Sequence, residues 1–351
     1  MTPQRKSSQQ DVANLAKVSR TTVSLVLNNV ESAAISDDTR QRVLDAAKQL
    51  GYVPDAAAQA LASRRSRIVG LVLARSTHHI SSDAYLTQVL DTLVAALRAE
   101  DMRLIFDIVE GEHRNDAYLE LIRSKRIDGI ILSGPRYDDQ AVAALEKEGF
   151  PTVLMGQLPG SCCTSVDVDN RAAARIAVEH LMTLGHRQIA CITNAGLEYT
   201  AAVERLEGYR EALSAGGITP EDALIRYGDF DPESGFTQMK ELLEVSDRPS
   251  AVFVASDVVA FGATAAIREA GLRIPQDIAL VAFDNVPLSK YVQPALTTVN
   301  LPAKQLALEA SRILLQLIRN ESVLEKQVLL DTELIVRESC GAKKTRLTWL
   351  D

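Results

Sequence analysis

Apolar residues recur at helical spacing over roughly the first fifty positions, then give way to short continuous apolar runs alternating with amphipathic segments. Val12, Leu15 and Ala16 share one helical face, and Val23, Val26 and Leu27 share another. Between them lies Lys17-Val18-Ser19, with Ser19 placed to cap the second segment through its side-chain oxygen. A third helix is predicted after Ser36, in DDTRQRVLDAAKQLGY. Asp37 and Asp38 favour its positive end, Val43, Leu44, Ala47 and Leu50 form its stripe, and Gly51 stops it. Pro54 then opens the Ala-rich segment DAAAQALAS, with Asp55 as N-cap. So short a segment is marginal as an isolated helix, so it either folds against a partner surface or serves as a plain linker.

Beyond Arg67 the pattern reads as buried strands between helices. A first series runs strand 68–74, helix 85–100, strand 103–109, helix 115–123, strand 129–132, helix 140–148 and strand 152–155. A second runs helix 172–184, strand 188–193, helix 201–215, strand 225–227, helix 233–245, strand 251–255, helix 258–270 and strand 278–283. Alternation of this kind specifies parallel sheets covered on both faces by helices. Two series predict two lobes, with a ligand in the crevice at the carboxyl ends of their strands.

Charge divides along the same line. Residues 1–67 carry ten basic and six acidic side chains, +4 in all, whereas the remaining residues carry 28 basic and 40 acidic, or −12. A positive head on an acidic body is expected when only the head meets phosphates. The outward face of the second helix presents Arg20, Thr21, Ser24, Leu25 and Asn28, mostly short or forked donors suited to base edges and phosphates. On this pattern alone an ordinary amphipathic helical hairpin is the competing reading.

Composition excludes several classes. With 46% hydrophobic and 24% charged residues the chain reads as globular, not disordered. No apolar run approaches the ~20 residues of a membrane span, and the polar start (Gln4 to Gln10) lacks the apolar core of a secretion signal, so a cytoplasmic protein is expected. Cys162, Cys163, Cys191 and Cys340 do not form a disulfide framework or a zinc motif. No G-x-G-x-x-G opens the first strand-helix unit. His78-His79 has no acid or cysteine nearby at ligand spacing and reads as a solvated loop, so no metal and no cofactor are expected. No nucleophile, base and orienter combine in the sequence, which argues against an enzyme.

The chain resembles the lactose-repressor/galactose-repressor (LacI/GalR) family of bacterial transcription regulators. DVANLAKVSRTTVSLVLN is similar to the family's helix-turn-helix, and LGYVPDAAAQALASRRSRIVGLV to its third-helix end, hinge and first core strand. DNRAAARIAVEHLMTLGHRQIA, ERLEGYREAL, SDVVAFGA, GLRIPQDIALVAFDN and PALTTV follow in family order, so the resemblance runs from about Gln10 to Arg337.

The resemblance implies a helix-turn-helix head over 1–53, a hinge over 54–66, a two-lobed periplasmic-binding-protein-like core over 67–338 and a tail over 339–351. The first lobe takes about 67–169 and 303–330, the second about 170–302 and 331–338. Arg20, Thr21 and Leu25 fall at the base-reading positions. An arginine at the first is worth roughly 1–3 kcal/mol of discrimination at a guanine edge, while Leu25 departs from the usual polar residue and either meets a thymine methyl or merely excludes water. Ser19, Thr22, Ser24, Asn28, Ser36 and Thr39 match or adjoin phosphate contacts, which position the head without reading sequence. Leu61 matches a minor-groove wedge, with Ala58 and Ala62 keeping the hinge slim. Asp55 stands where the family commonly has asparagine, and the loop Asn29–Ile35 is longer than usual.

For the cleft, the resemblance implies effector contacts from Tyr85, Leu86, Ser133, Tyr199, Arg205, Phe230, Ser256, Asp257 and Asp284. Arg205 and Asp284 offer a donor fork and an acceptor to a polar ligand, and Tyr85 and Phe230 offer cover for a sugar face or a flat base. Two structural alternatives stand beside this: Ser256 or Asp257 capping the helix that follows, and Arg205 pairing with Asp284 in a dry cleft. The implied protein is a repressor that binds a near-palindromic DNA operator as a homodimer. It answers to a small-molecule effector, a sugar or sugar derivative, or a nucleoside or base. A sugar-binding transport protein shares such a core but has no use for residues 10–65. The tail has no apolar heptads, so a dimer is expected.

Overall fold

The computed structural model describes residues 7–27, 34–53, 65–109, 114–124 and 126–342. Asn28, the loop residues 29–33, and Asp55, Ala58, Leu61 and Ala62 of the expected hinge lie outside the described residues. Two compact units are present, residues 1–67 and 68–351.

The first unit holds three helices, α1 (Gln9–Ala16), α2 (Arg20–Leu27) and α3 (Asp37–Gln49). A capping box between Ser8 and Asp11 starts α1, and Lys17, in the left-handed conformation at φ 56°, ends it. Ser19 Oγ accepts from Thr22 N at 3.0 Å, so the expected cap of α2 forms, and Ser36 Oγ likewise accepts from Thr39 N at 3.3 Å to cap α3. The core joins Val12, Ala13 and Ala16 to Val23, Val26, Val43, Ala46 and Ala47. Leu15 and Leu44, expected inside, are each 43% exposed. The buried faces of α1 and α3 are formed by Val12, Ala13 and Ala16 and by Val43, Ala46 and Ala47, and the leucines adjoining Ala16 and Val43 in sequence are turned away from them by the helical rotation per residue.

The second unit contains two six-stranded sheets. The first-lobe sheet has the order β11-β5-β4-β3-β1-β2, formed by β1 (Ile68–Leu73), β2 (Arg103–Ile108), β3 (Gly129–Ser133), β4 (Thr152–Met155), β5 (Thr164–Val168) and β11 (Gln327–Leu330). All its pairs are parallel, with Leu71 between Phe106 and Ile131 in register. Its helices are α4 (Ala84–Ala99), α5 (Arg114–Arg123), α6 (Gln140–Glu148) and α11 (Ala303–Ile318). Leu86, Val89, Leu93 and Leu97 of α4 share a buried cluster with Leu306, Ala310, Ile313 and Leu314 of α11 and with β1, β3 and β4.

The second-lobe sheet runs β12-β10-β9-β8-β6-β7, from β6 (Ile189–Ile192), β7 (Ile225–Arg226), β8 (Ala251–Val254), β9 (Ala279–Asp284), β10 (Thr297–Asn300) and β12 (Glu333–Ile335). It is parallel except for β12, which pairs antiparallel with β10 at the edge. The helices α7 (Asn170–Thr183), α8 (Thr200–Ala215), α9 (Pro232–Leu243) and α10 (Asp257–Glu269) cover its faces. Helices α9 and α10 pack so closely that a Cβ at Gly262 would lie 1.7 Å from the Pro232 carbonyl oxygen.

The chain passes between lobes after β5, after β10 and after β11. β5, β10, α11, β11 and β12 are additions to the series read from the hydrophobic pattern. β5 interleaves Thr164, Ser165 and Asp167 with its valines, yet all five of its residues are buried. Residues 339–351, read as a tail, begin inside the second lobe: Ser339 and Cys340 are buried, and Ser339 Oγ accepts from Thr297 N at 2.8 Å and donates to Leu280 O at 2.7 Å. Among the described residues no helix is long and apolar enough to cross a membrane.

Candidate functional site

In the second unit the helices that follow the parallel strands begin at the strands' carboxyl ends, where their caps collect. Asp83 accepts from Leu86 N, Asp231 from Ser234 N and Ser256 from Val258 N. The ends of both sheets border one cleft of about 790 Å³, part of it open to solvent. Tyr85, Ser133, Arg205, Phe230, Ser256 and Asp284 all line it, brought together from positions spread over two hundred residues.

At the floor of the cleft is a connected polar chain. Asn170 Nδ2 donates to Asp167 Oδ2 at 3.1 Å, and Arg205 Nε donates to Asn170 Oδ1 at 2.8 Å. Arg205 Nη1 donates to Ala255 O at 2.8 Å and stands 3.6 Å from Asp284 Oδ1. Ser256 Oγ donates to Asp284 Oδ2 at 2.9 Å. The Arg205 guanidinium also stacks 3.8 Å above the Phe283 ring. The two structural alternatives for these residues therefore hold in part: Ser256 caps α10, and Arg205 neutralises Asp284, while all three still face the cavity.

Burial governs the ionisation of this floor. The Asp167 carboxyl is pushed up to about 7, chiefly by burial. Burial likewise raises Asp284, against the opposing pull of Arg205, and lowers the Arg205 guanidinium, against the pull of Asp284. The Tyr85 phenol is raised by burial and by neighbouring carboxylates. Phe230 at φ 56° and Asp284 at φ 111° hold left-handed backbone conformations that L-residues seldom adopt, and both side chains line the cavity.

Three expected contacts stand elsewhere. Leu86 is 2% exposed and packs with Val89 and Leu93, because the turn of α4 that aims Tyr85 at the cleft aims Leu86 at the sheet. The Asp257 carboxylate accepts from Val286 N, Ser289 Oγ and Thr298 Oγ1, tying α10 to the segment after β9, and does not reach the cavity. Tyr199 donates its hydroxyl to Ala74 O at 2.8 Å across the lobes and meets Phe230 edge-on at 4.9 Å. It supports the wall from behind.

Residues missed from the sequence complete the lining. Arg75 and Asp83 form a buried ion pair at 2.7 Å, and Arg75 lies 4.7 Å over the Phe230 ring. Asp167 and Asn194 also face the cleft, and Asn194 Oδ1 is buried without a hydrogen-bond partner. Arg75 and Asn194 are the second residues past the ends of β1 and β6, which was the available signal. His79, read as solvated, is 3% exposed, and Asp229 stands against it. A partner 150 positions away in sequence escapes any spacing rule.

In the first unit Arg20 and Thr21 are exposed on α2, with Ser24 and Leu25 half-buried. Ser19 and Thr22 join hydroxyls at 2.9 Å, and Ser36 and Thr39 at 3.0 Å, so two of these phosphate candidates, Ser19 and Ser36, are also the capping groups of α2 and α3.

Residues 9–55 match the model of bacterial regulatory proteins of the lacI family, and residues 178–340 that of a periplasmic binding protein-like domain. The chain is 34% identical to the HTH-type transcriptional regulator CelR of Thermobifida fusca, over 97% of this chain and all of that one. It is 31% identical to the HTH-type transcriptional repressor PurR of Aliivibrio salmonicida, over 94% of this chain and 98% of that one. Among solved structures, a CelR–cellobiose complex superposes with a TM-score of 0.74 at 33% identity, covering 95% of this chain and 99% of that one. The lac repressor dimer bound to operator and the anti-inducer ONPF superposes at 0.85 and 30% identity, covering 96% of this chain and all of that one.

Proposed function

The chain belongs to the lacI family of bacterial regulatory proteins, and from that premise we propose that it is a repressor whose hold on its operator is set by a neutral sugar in the cleft. It is a DNA-binding transcriptional regulator with an effector-binding domain. The proposal adds the ligand class and the residues responsible.

The observation that carries the ligand class is the charge balance of the cavity. Arg75 and Arg205 face Asp83, Asp167 and Asp284, so both guanidiniums are already matched by carboxylates. An anionic effector such as a sugar phosphate gains little there, whereas a neutral polyol finds alternating donors and acceptors. Asn194 Oδ1 supplies an open acceptor, and Phe230 and Tyr85 supply apolar cover for a pyranose face. The cellobiose bound by a relative of 33% identity supports the same class. In this reading the ligand is bound and released unchanged, with no catalytic turnover.

On the DNA side, Arg20, Thr21 and Leu25 read bases while Ser19, Thr22, Ser24, Asn28, Ser36 and Thr39 position the head on phosphates. Two copies bind a two-fold operator as a homodimer, and Leu61, flanked by Ala58 and Ala62, wedges the minor groove. The work is done in the bacterial cytoplasm, on the nucleoid. Control requires that the sugar bind the two lobe arrangements with unequal affinity, by a few kcal/mol.

The test begins with operator selection from random duplexes by the full chain. Thermal shift against monosaccharides, disaccharides, sugar phosphates and purines follows, and hits are retested for altered operator affinity. A neutral sugar that raises Tm and changes operator affinity supports the proposal. A response confined to sugar phosphates or purines overturns the ligand class, and a sugar that binds without changing operator affinity overturns its role as effector.

A further inference from the structure

Beside the cleft lies a group of ligating side chains that the effector chemistry leaves unused. His78 and His79 sit on the 3₁₀ turn Thr77–Ser81, between β1 and α4 in the first lobe. Asp229 and Asp231 flank Phe230 in the loop from β7 to α9 in the second lobe. His79 Nε2 is 3.2 Å from Asp229 Oδ2, and His78 Nε2 is 4.0 Å from the same oxygen. One ligand atom from each of His78, His79 and Asp229 lies within 4.8 Å of the others.

Two further observations separate this group from a solvated cluster. The His79 ring is buried, yet neither of its nitrogens has a hydrogen-bond partner, because the Asp229 oxygen, though close, does not meet the geometry of one. A buried imidazole left so is unfavourable unless something binds it. Meanwhile His78 Nδ1 is 2.7 Å from Ser76 Oγ. A proton on Nδ1, donated to that hydroxyl, leaves the lone pair on Nε2, the nitrogen turned toward Asp229 and Asp231.

The geometry points to a divalent transition-metal site, zinc by its ligand chemistry, in which His78, His79 and Asp229 clasp the two lobes together beside the cleft. Two imidazoles and a carboxylate are a zinc donor set with a fourth position left for water. Tetrahedral bonds of about 2.0–2.1 Å place ligand atoms about 3.3 Å apart. The His79–Asp229 separation already matches, and the 4.0 Å between His78 Nε2 and the same oxygen exceeds that spacing by only about 0.7 Å. Asp231 Oδ2, 3.9 Å from His78 Nε2, stands where it can accept from a metal-bound water, while Oδ1 of the same residue caps α9. Arg75, the cation stacked on Phe230, is neutralised by Asp83.

Because the ligands come from both lobes, the ion favours this lobe arrangement. His79 packs against Phe230 with ring centroids 5.5 Å apart, so the ion also fixes one wall of the effector cavity. Any effector that selects the same arrangement then binds more tightly in the presence of the metal, and the metal more tightly in its presence. That coupling rests on the effector reading, whereas the site itself does not.

The test is titration of chelator-treated full-length protein with Zn²⁺ alone by calorimetry, and with Co²⁺ by visible absorption. The expected result is one ion per chain, a Co²⁺ spectrum without a thiolate charge-transfer band, and a Tm raised by Zn²⁺. Asp229→Asn and His78→Ala, both at side chains more than half exposed, should each weaken binding at least tenfold, and Cys162→Ser should not. Absence of stoichiometric binding, parental affinity in either variant, or a thiolate band overturns the site. No sugar or DNA enters this measurement, so its failure is distinct from failure of the effector proposal.

Discussion

Arg205 and Asp284, 7% and 10% exposed, face each other at 3.6 Å across the floor of the cleft, close enough to neutralise one another and too far apart to hydrogen-bond. The guanidinium is oriented instead by Asn170 and the Ala255 carbonyl, and the carboxylate by Ser256. A charge pair held in this way keeps its geometry while remaining addressable by a ligand hydroxyl.

Arg205→Lys should therefore keep the charge and lose the fork. Effector affinity is expected to fall at least tenfold, with operator affinity within about twofold of the parent, as measured by calorimetry and fluorescence anisotropy. Arg205→Ala should in addition cost about 3–5 kcal/mol of stability, since it leaves a buried carboxylate unpaired. An unchanged effector response in both would remove Arg205 from the site.

Asp257 is expected to separate from its neighbours functionally. With three donors bound to its carboxylate, Asp257→Ala should lower stability by about 3 kcal/mol or more in denaturant titrations. The folded fraction should retain effector affinity better than Arg205→Lys does. The reverse order would mean that Asp257 touches ligand.

Stability should also carry the mark of Asp167, whose folded pKa is about 7 against an ordinary value near 4. Between those values the folded chain holds a proton that the unfolded chain has lost. The contribution of this group therefore falls as pH rises through that window and is level on either side. Asp257 and Asp284, also raised by burial, act in the same direction. From about pH 5 to about pH 8 the parent should lose several degrees of Tm more than Asp167→Asn. Parallel calorimetric curves would contradict this.

In the head, Arg20→Ala should reduce specific operator affinity by about 10–100-fold and binding to random duplex far less. Ser36→Ala should instead cost about 1 kcal/mol of head stability, because its hydroxyl caps α3. Equal losses of specific and random binding by Arg20→Ala would assign that residue to phosphate rather than to a base.

Gly262→Ala tests the α9–α10 seam. A methyl group there would lie 1.7 Å from the Pro232 carbonyl oxygen, so the helices must separate. Tm should drop by several degrees, as expected for overpacking of about 1–3 kcal/mol.

The legible part of the protein was the part written in local chemistry. Ser19 announced its helix because a cap needs only an oxygen three residues upstream of an amide. The apolar runs of β1, β3, β4, β8 and β9 announced parallel strands because both faces are covered. β5 did not announce itself, since its buried Thr164, Ser165 and Asp167 break the apolar run. Leu15 and Leu44 misled for a related reason: a leucine at helical spacing is apolar whether or not the neighbouring helix arrives on its side.

Periodicity, capping and the ordered family phrases thus determined a helical head, a two-lobed core of parallel sheets and the identity of Arg205, Phe230, Ser256 and Asp284 as cleft candidates. Only tertiary structure decided that Asp257 and Leu86 turn inward, that Arg75 and Asp167 share the floor with Arg205, and that His79 meets Asp229. Secondary structure is set by interactions within a few residues, which leave a signature in spacing. The chemistry of a cleft is set by side chains from separate strand ends, whose meeting depends on packing between elements far apart in the chain.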